Sequence, residues 1–203
     1  MKKYFVYLIG VIVMTFGVAL SSFHGLGASP FDTLSFNLHK ITEIDLGIVM
    51  IIMNAVFLLI YFIYKRNKDI YISVIVVLLF SLLASFFVMI LTPIIVIDDL
   101  WFRLILFLLG FIFTSIGIAL VEVSSLSKTA YECFNSFIHD KVFKKMSYGA
   151  SRVIVDVTLS LSAAILGLVF LNSTGDAGLG TVFYMIFTGP VVQFLMKRFK
   201  ISK

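Results

Sequence analysis

The chain is poor in the residues that build soluble or disulfide-stapled folds. Of its 203 residues only 13% are charged, three are proline, one is tryptophan and one, Cys133, is cysteine. A single cysteine excludes an intramolecular disulfide and a cysteine-based metal cluster. So little charge against 61% hydrophobic residues excludes an ordinary water-soluble domain, in which about a quarter of residues are charged. The spacings of metalloproteases, lipases and phosphate loops are also missing, so neither an enzymatic activity nor a metal or cofactor is expected.

What the chain has is apolar runs. They fall near residues 4 to 23, 46 to 64, 70 to 93, 101 to 123, 148 to 171 and 179 to 196. In hydrocarbon the backbone must satisfy its own hydrogen bonds, and runs of about 20 residues do so as helices roughly 30 Å long. The expected fold is therefore all-α, a single polytopic membrane domain over residues 1 to 203 with six transmembrane helices. Basic residues set the orientation. Lys2 and Lys3 precede the first span; Lys65, Arg66 and Lys68 follow the second. Lys128, Lys141, Lys144, Lys145 and Arg152 follow the fourth, and Lys197, Arg198, Lys200 and Lys203 close the chain. Fourteen of sixteen basic residues thus lie on alternate sides, leaving Lys40 and Arg103 for the other. The positive-inside rule then predicts both termini in the cytoplasm. The net charge of +5 is a topology signal, and no nucleic acid is expected as a partner. The lysine pair and first apolar run also fit a secretory signal peptide, but a similar segment recurs at residues 104 to 120, where no signal can be.

That recurrence extends further. Leu8 to His39 lies without a gap over Leu108 to His139, with Gly10/Gly110, Ile12/Ile112, Gly17/Gly117, Ala19/Ala119, Leu20/Leu120, Leu26/Leu126 and His39/His139 identical. Thr15/Ser115, Ser29/Thr129, Phe31/Tyr131 and Asp32/Glu132 are conservative pairs. Three spans per copy, 1 to 100 and 101 to 203, force opposite orientations, the inverted-repeat pattern of many secondary transporters, whose site lies at mid-membrane where the repeats meet. The repeated histidines then fall on opposite faces, too far apart to share a metal ion.

In each copy two glycines seven residues apart, Gly10 with Gly17 and Gly110 with Gly117, share a helical face and predict a close helix crossing. A short segment follows with its own start signal. Ser29-Pro30-Phe31-Asp32 and Thr129-Ala130-Tyr131-Glu132 both read as capping boxes, the first with proline at the first helical position. These helices, near 29 to 40 and 129 to 140, are too short to span and are either interfacial or re-entrant. On the surfaces, Asp32 is outside and Glu132 inside as caps that complement the dipole. Dipping inward, they bring backbone donors and both carboxylates towards a shared cavity, and the glycines at 25 and 27 suit the tight turn.

At an offset of 102, Gly47 lies over Gly149 and Asn54 over Asp156. Counted inward from opposite surfaces, both polar groups reach on the order of 12 Å deep. An ionisable residue at that depth is a functional hypothesis, with Arg152 one turn earlier as the expected partner of Asp156 and Glu122 as a competitor for that arginine. The last span opens with Gly178-Leu179-Gly180-Thr181 and carries Thr188-Gly189-Pro190, an expected interruption.

The stretches GLGASPFDTLSFNL, YGASRVIVDVTLS and GLGTVFYMIFTGPVVQF resemble the YczE/YyaS/YitT-type bacterial membrane proteins, most closely the YczE branch, over nearly the whole chain. The family pattern falls here on Gly27, Ser29, Pro30, Phe31, Asp32, Asp156, Gly180, Thr181, Gly189 and Pro190, with Phe31 where some relatives carry tryptophan. The resemblance implies a protein of the bacterial inner membrane and supplies no substrate. The expected function is a small transporter working by alternating access between the repeats. Candidate substrate contacts are Ser29, Asp32, Asn54, Thr129, Glu132, Arg152, Asp156 and Thr181. Gly10, Gly17, Gly27, Pro30, Gly110, Gly117, Gly180, Gly189 and Pro190 are candidates for close packing or helix breaks. The alternatives are the substrate-binding subunit of an energy-coupled importer and a membrane regulator that contacts lipid. Expected partners are membrane lipids and a small-molecule substrate, with a homo-oligomer left open.

Overall fold

Among the described residues the chain folds into helices alone, as a backbone in hydrocarbon requires. The structure is a computed structural model and describes residues 2–65, 70–95, 99–124, 126, 129–146 and 148–199. Of the basic positions in the topology argument, Arg66, Lys68, Lys128, Lys200 and Lys203 lie outside the described residues. The elements are α1 (Lys2–His24), α2 (Pro30–Thr42), α3 (Leu46–Lys65), α4 (Ile70–Leu91), α5 (Leu100–Ser124), α6 (Ala130–Lys141), α7 (Tyr148–Phe170) and α8 (Leu179–Arg198). Six of them, all except α2 and α6, are long and apolar enough to cross a membrane. Their outward faces are apolar too: Ile75, Leu82 and Met89 of α4 and Trp101 of α5 are each more than 60% exposed. Such surfaces suit lipid as the outer solvent.

The centre is the crossing of α1 with α5. A Cβ on Gly17 would strike the backbone of Thr114 and Gly110, and one on Gly117 would strike the backbone of Met14. Gly10 lies against Val121 and Gly110 against Ser21. The pairings run antiparallel, 10 with 121, 14 with 117, 17 with 114 and 21 with 110. The seven-residue glycine spacing therefore produces the backbone contact expected of it.

Both helices end alike. The Leu26 amide donates to His24 Nδ1, and the Leu126 amide donates to Ser124 Oγ. After α1 the chain turns through Gly25 and Gly27, both at positive φ, and Gly27 sits so close to Thr181 that no side chain fits.

The short helices are not surface elements. Ser29 caps α2 by accepting from the Asp32 amide, Thr129 caps α6 by accepting from the Glu132 amide, and Pro30 stands at the first helical position. Pro30 to Asn37 are all buried. Both helices pack on α3 and α7, and their first turns converge on Phe57 of α3. Phe31 and Tyr131 lie 6.0 Å apart there, centroid to centroid. The interior placement of both N-termini overturns the arrangement that put Asp32 and Glu132 on opposite surfaces.

A second correction concerns α8. It is continuous through Gly189 and Pro190, so the expected interruption is absent. Proline removes one donor without breaking the helix, leaving the Ile186 carbonyl without its usual intrahelical amide. A further asymmetry bears on the site. α3 packs along α4 through Leu46, Met50 and Ala84 at one end and Leu58 and Val77 at the other. α7 and α8 touch far less, with Ser160 Oγ 3.7 Å from Met185 Sδ.

Replacing Gly17 or Gly117 by alanine is expected to cost about 1 to 3 kcal/mol, because a backbone neighbour cannot give way as a rotamer can. Gly189, with nothing near its absent Cβ, should tolerate alanine within about 0.5 kcal/mol. Thermal unfolding in mild detergent compares the three, and equal midpoints would remove the glycine crossing as a determinant of stability.

Candidate functional site

The first turns of α2 and α6, the middle of α3, α4 and α5, and the facing sides of α7 and α8 enclose a cavity of about 420 Å³. That volume suits a small organic ligand. Seven of the eight expected contact residues line it: Ser29, Asp32, Asn54, Thr129, Glu132, Arg152 and Asp156. Thr181 does not. It sits behind the wall, where its hydroxyl is 3.2 Å from that of Thr33 and contacts the loop around Gly27. Of the helix-break candidates, Pro30, Gly189 and Pro190 line the cavity, while Gly10, Gly17, Gly110 and Gly117 belong to the crossing. Gly27 and Gly180 hold the α1–α2 turn against α8, where the Gly180 amide donates to the Leu26 carbonyl at 2.8 Å.

The polar groups are organised into two pairs. Arg152 of α7 meets Glu132 of α6 at 2.6 Å. Tyr131 of α6 donates its hydroxyl to Asp156, which is 6% exposed. The arginine also lies 5.7 Å from the Tyr131 ring centroid, so all four groups form one cluster. Arg152 is thus ion-paired to Glu132 and also near enough for its charge to act on Asp156, as expected, while the hydroxyl that Asp156 accepts from belongs to a tyrosine that was not among the expected contact residues. The signal was present: the first copy has Phe31 and Asn54 where the second has Tyr131 and Asp156, so hydroxyl and carboxylate differ together.

The capping acids depart from the reciprocal box. Asp32 Oδ2 accepts from the Ser29 hydroxyl at 2.6 Å, and Glu132 goes to the arginine. Burial pushes the Asp32 carboxyl up to about 6, and the Ser29 hydroxyl pulls it back. Burial first, and then the Asp156 charge, hold the Tyr131 phenol well above its ordinary value, which keeps it a donor. Further lining residues that the sequence left unassigned are Tyr184, whose hydroxyl is 3.0 Å from Ser21 Oγ, Thr114 and Thr188. The remaining wall is apolar, from Met14, Val18, Val76, Phe80 and Ile118.

At the opposite end of the molecule from Arg198, the α7–α8 connection is stapled to α2. Asn37 Nδ2 donates to the carbonyls of Ala163 and Thr174, and its Oδ1 accepts from the Asp176 amide at 2.7 Å. Lys40 closes the set with an ion pair to the buried Asp176 at 2.6 Å.

Residues 1–197 match a family of unknown function (DUF6198). The chain belongs to this family. It is similar to the uncharacterized protein YyaS of Bacillus subtilis (strain 168), 24% identical over 194 residues, covering 96% of this chain and 92% of that protein. No solved structure matches.

Replacing Arg152 by glutamine strands the Glu132 carboxylate, and an expected loss of about 2 kcal/mol follows, less than for a fully buried pair because the arginine is part-exposed. Adding Glu132→Gln should recover part of it, as a double-mutant cycle read by thermal unfolding would register. Additive losses would mean that the pair is not coupled.

Proposed function

We propose that this protein is a small secondary transporter of the bacterial cytoplasmic membrane, built from two inverted repeats with both termini cytoplasmic, and working by alternating access. The observation that carries the reading is the reciprocity of the α1–α5 contacts. Under the offset of 100, the contact of 10 with 121 becomes that of 21 with 110, and 14 with 117 becomes 17 with 114. Any antiparallel crossing keeps such a register; what a twofold axis in the membrane plane adds is that the contacts centre on equivalent points of the two copies, between 15 and 16 on α1 and between 115 and 116 on α5. The matching helix ends at Leu26 and Leu126, and the meeting of both short helices at one cavity, support the same axis.

The departures from that symmetry support a moving device. α3 and α4 are packed, whereas their counterparts α7 and α8 are parted beside the cavity. In the opposite state the two pairs exchange roles. The Asn37 and Lys40–Asp176 contacts then act as the outer latch, closed while the α7–α8 side is open. The cavity also suits a substrate-binding subunit of an energy-coupled importer, a reading that copurification with an ATPase pair would favour.

Two experiments test the proposal. In a Cys133→Ser background, Asp99→Cys should react with impermeant thiol reagents from outside and Lys144→Cys only after permeabilisation; labelling of both from outside sinks the orientation. Asp156→Asn keeps volume and much of the hydrogen bonding, so thermal stability should stay near wild type while solute-driven currents in proteoliposomes fall to background. A variant that unfolds early and still transports in proportion to its folded fraction would make Asp156 structural.

A further inference from the structure

We infer that the cavity takes a lipophilic organic cation, admitted sideways between α7 and α8. The inference deepens the transport reading of the same cavity and rests on it only for the ligand's movement.

Charge decides the sign of the ligand. Each helix N-terminus carries about half a positive charge, so the starts of α2 and α6 supply about one between them and Arg152 a second. Against these stand four carboxyl groups on the described lining, Asp32, Glu122, Glu132 and Asp156. The sum is about two negative charges inside walls that water screens poorly. An anion would meet that excess at close range, whereas a cation lowers it.

The walls decide the body of the ligand. Apart from the charged groups and the short polar side chains of Ser29, Asn54, Thr114, Thr129 and Thr188, the lining is aliphatic and aromatic, and Phe31, Phe80, Tyr131 and Tyr184 offer ring surfaces to a positive centre. A small hydrated cation would leave most of this surface unused.

The route follows from the parted helices. Val153 of α7 and Ile186, Gly189 and Pro190 of α8 line the cavity and are themselves exposed, so the cavity opens between these helices. Val153 lies five residues into a span and Gly189 about midway along one, which places the opening at the level of the acyl chains. A ligand that partitions into the bilayer can enter there without crossing water.

The test uses two ions of nearly equal size and apolarity but opposite sign, tetraphenylphosphonium and tetraphenylborate, with the whole protein in nanodiscs. The phosphonium is expected to bind at least about tenfold more tightly than the borate, a difference of about 1.4 kcal/mol. Asp156→Asn and Glu122→Gln should each weaken the phosphonium several-fold, while Asp99→Asn, exposed and outside the cavity, should not. Thermal unfolding checks that each variant is folded, and any that is not is replaced by Asp32→Asn. Equal or reversed preference between the ions, no binding of either, or phosphonium binding untouched by all cavity variants would overturn the inference. Proteoliposome uptake separates the two readings: binding without movement under any gradient defeats the transporter and leaves the ligand class standing. Movement of an anion in preference does the reverse.

Discussion

The structure depends on two backbones touching. Where α1 and α5 cross at Gly10, Gly17, Gly110 and Gly117 there is no side chain to keep them apart, and the approach sets the position of everything attached to them. Lipid offers little hydrophobic drive for helices to associate, so dispersion between fitted surfaces must supply the cohesion. Because α1 runs straight into the turn through Gly25 and Gly27 that starts α2, the same contact fixes where that short helix begins. A wider crossing would separate Phe31 from Tyr131 and dissolve the cavity between them.

Helix starts buried inside a protein carry unsatisfied amides, and the chain provides for them locally. The Ser29 and Thr129 hydroxyls each accept one, and the acids three residues later put negative charge against the dipole. What makes this more than capping is that Glu132 also holds Arg152, and the neighbouring Tyr131 holds Asp156. One turn of α6 therefore ties two groups of α7 into the cavity wall. The first copy has a simpler counterpart, in which Asn54 donates to the Met50 carbonyl of its own helix.

Span positions were legible because the thickness of a bilayer dictates length and composition together; α3, for instance, runs over Leu46–Lys65 against an expected 46 to 64. The caps were legible because Ser-Pro and Thr-Ala starts are local chemistry. The place of the short helices was not, since a sequence with an amphipathic face fits an interface or an interior equally well. Nor was the fate of Pro190: a proline signals a lost donor, but whether the helix bends depends on packing, and beside the cavity α8 runs on unbroken. Arg152 illustrates the same limit. Periodicity places it one turn from Asp156, yet Glu132 arrives from another helix, and only the tertiary arrangement brings that carboxylate within 2.6 Å.

In the proposed inverted repeat the two copies share a frame and differ in chemistry. Small residues at the crossing are matched, while Phe31 and Asn54 correspond to Tyr131 and Asp156. In the proposed cycle, a symmetric frame would give two conformations of similar energy, because each would place equivalent contacts on opposite sides. Chemistry that is asymmetric makes them unequal towards a ligand. With the carboxylate and arginine on α7, the element whose partner α8 stands apart, the charged groups belong to the side that moves in the proposed cycle. A ligand that neutralises Asp156 would then change the electrostatic cost of closing α7 onto α8, which is the differential interaction that coupling between binding and conformation requires.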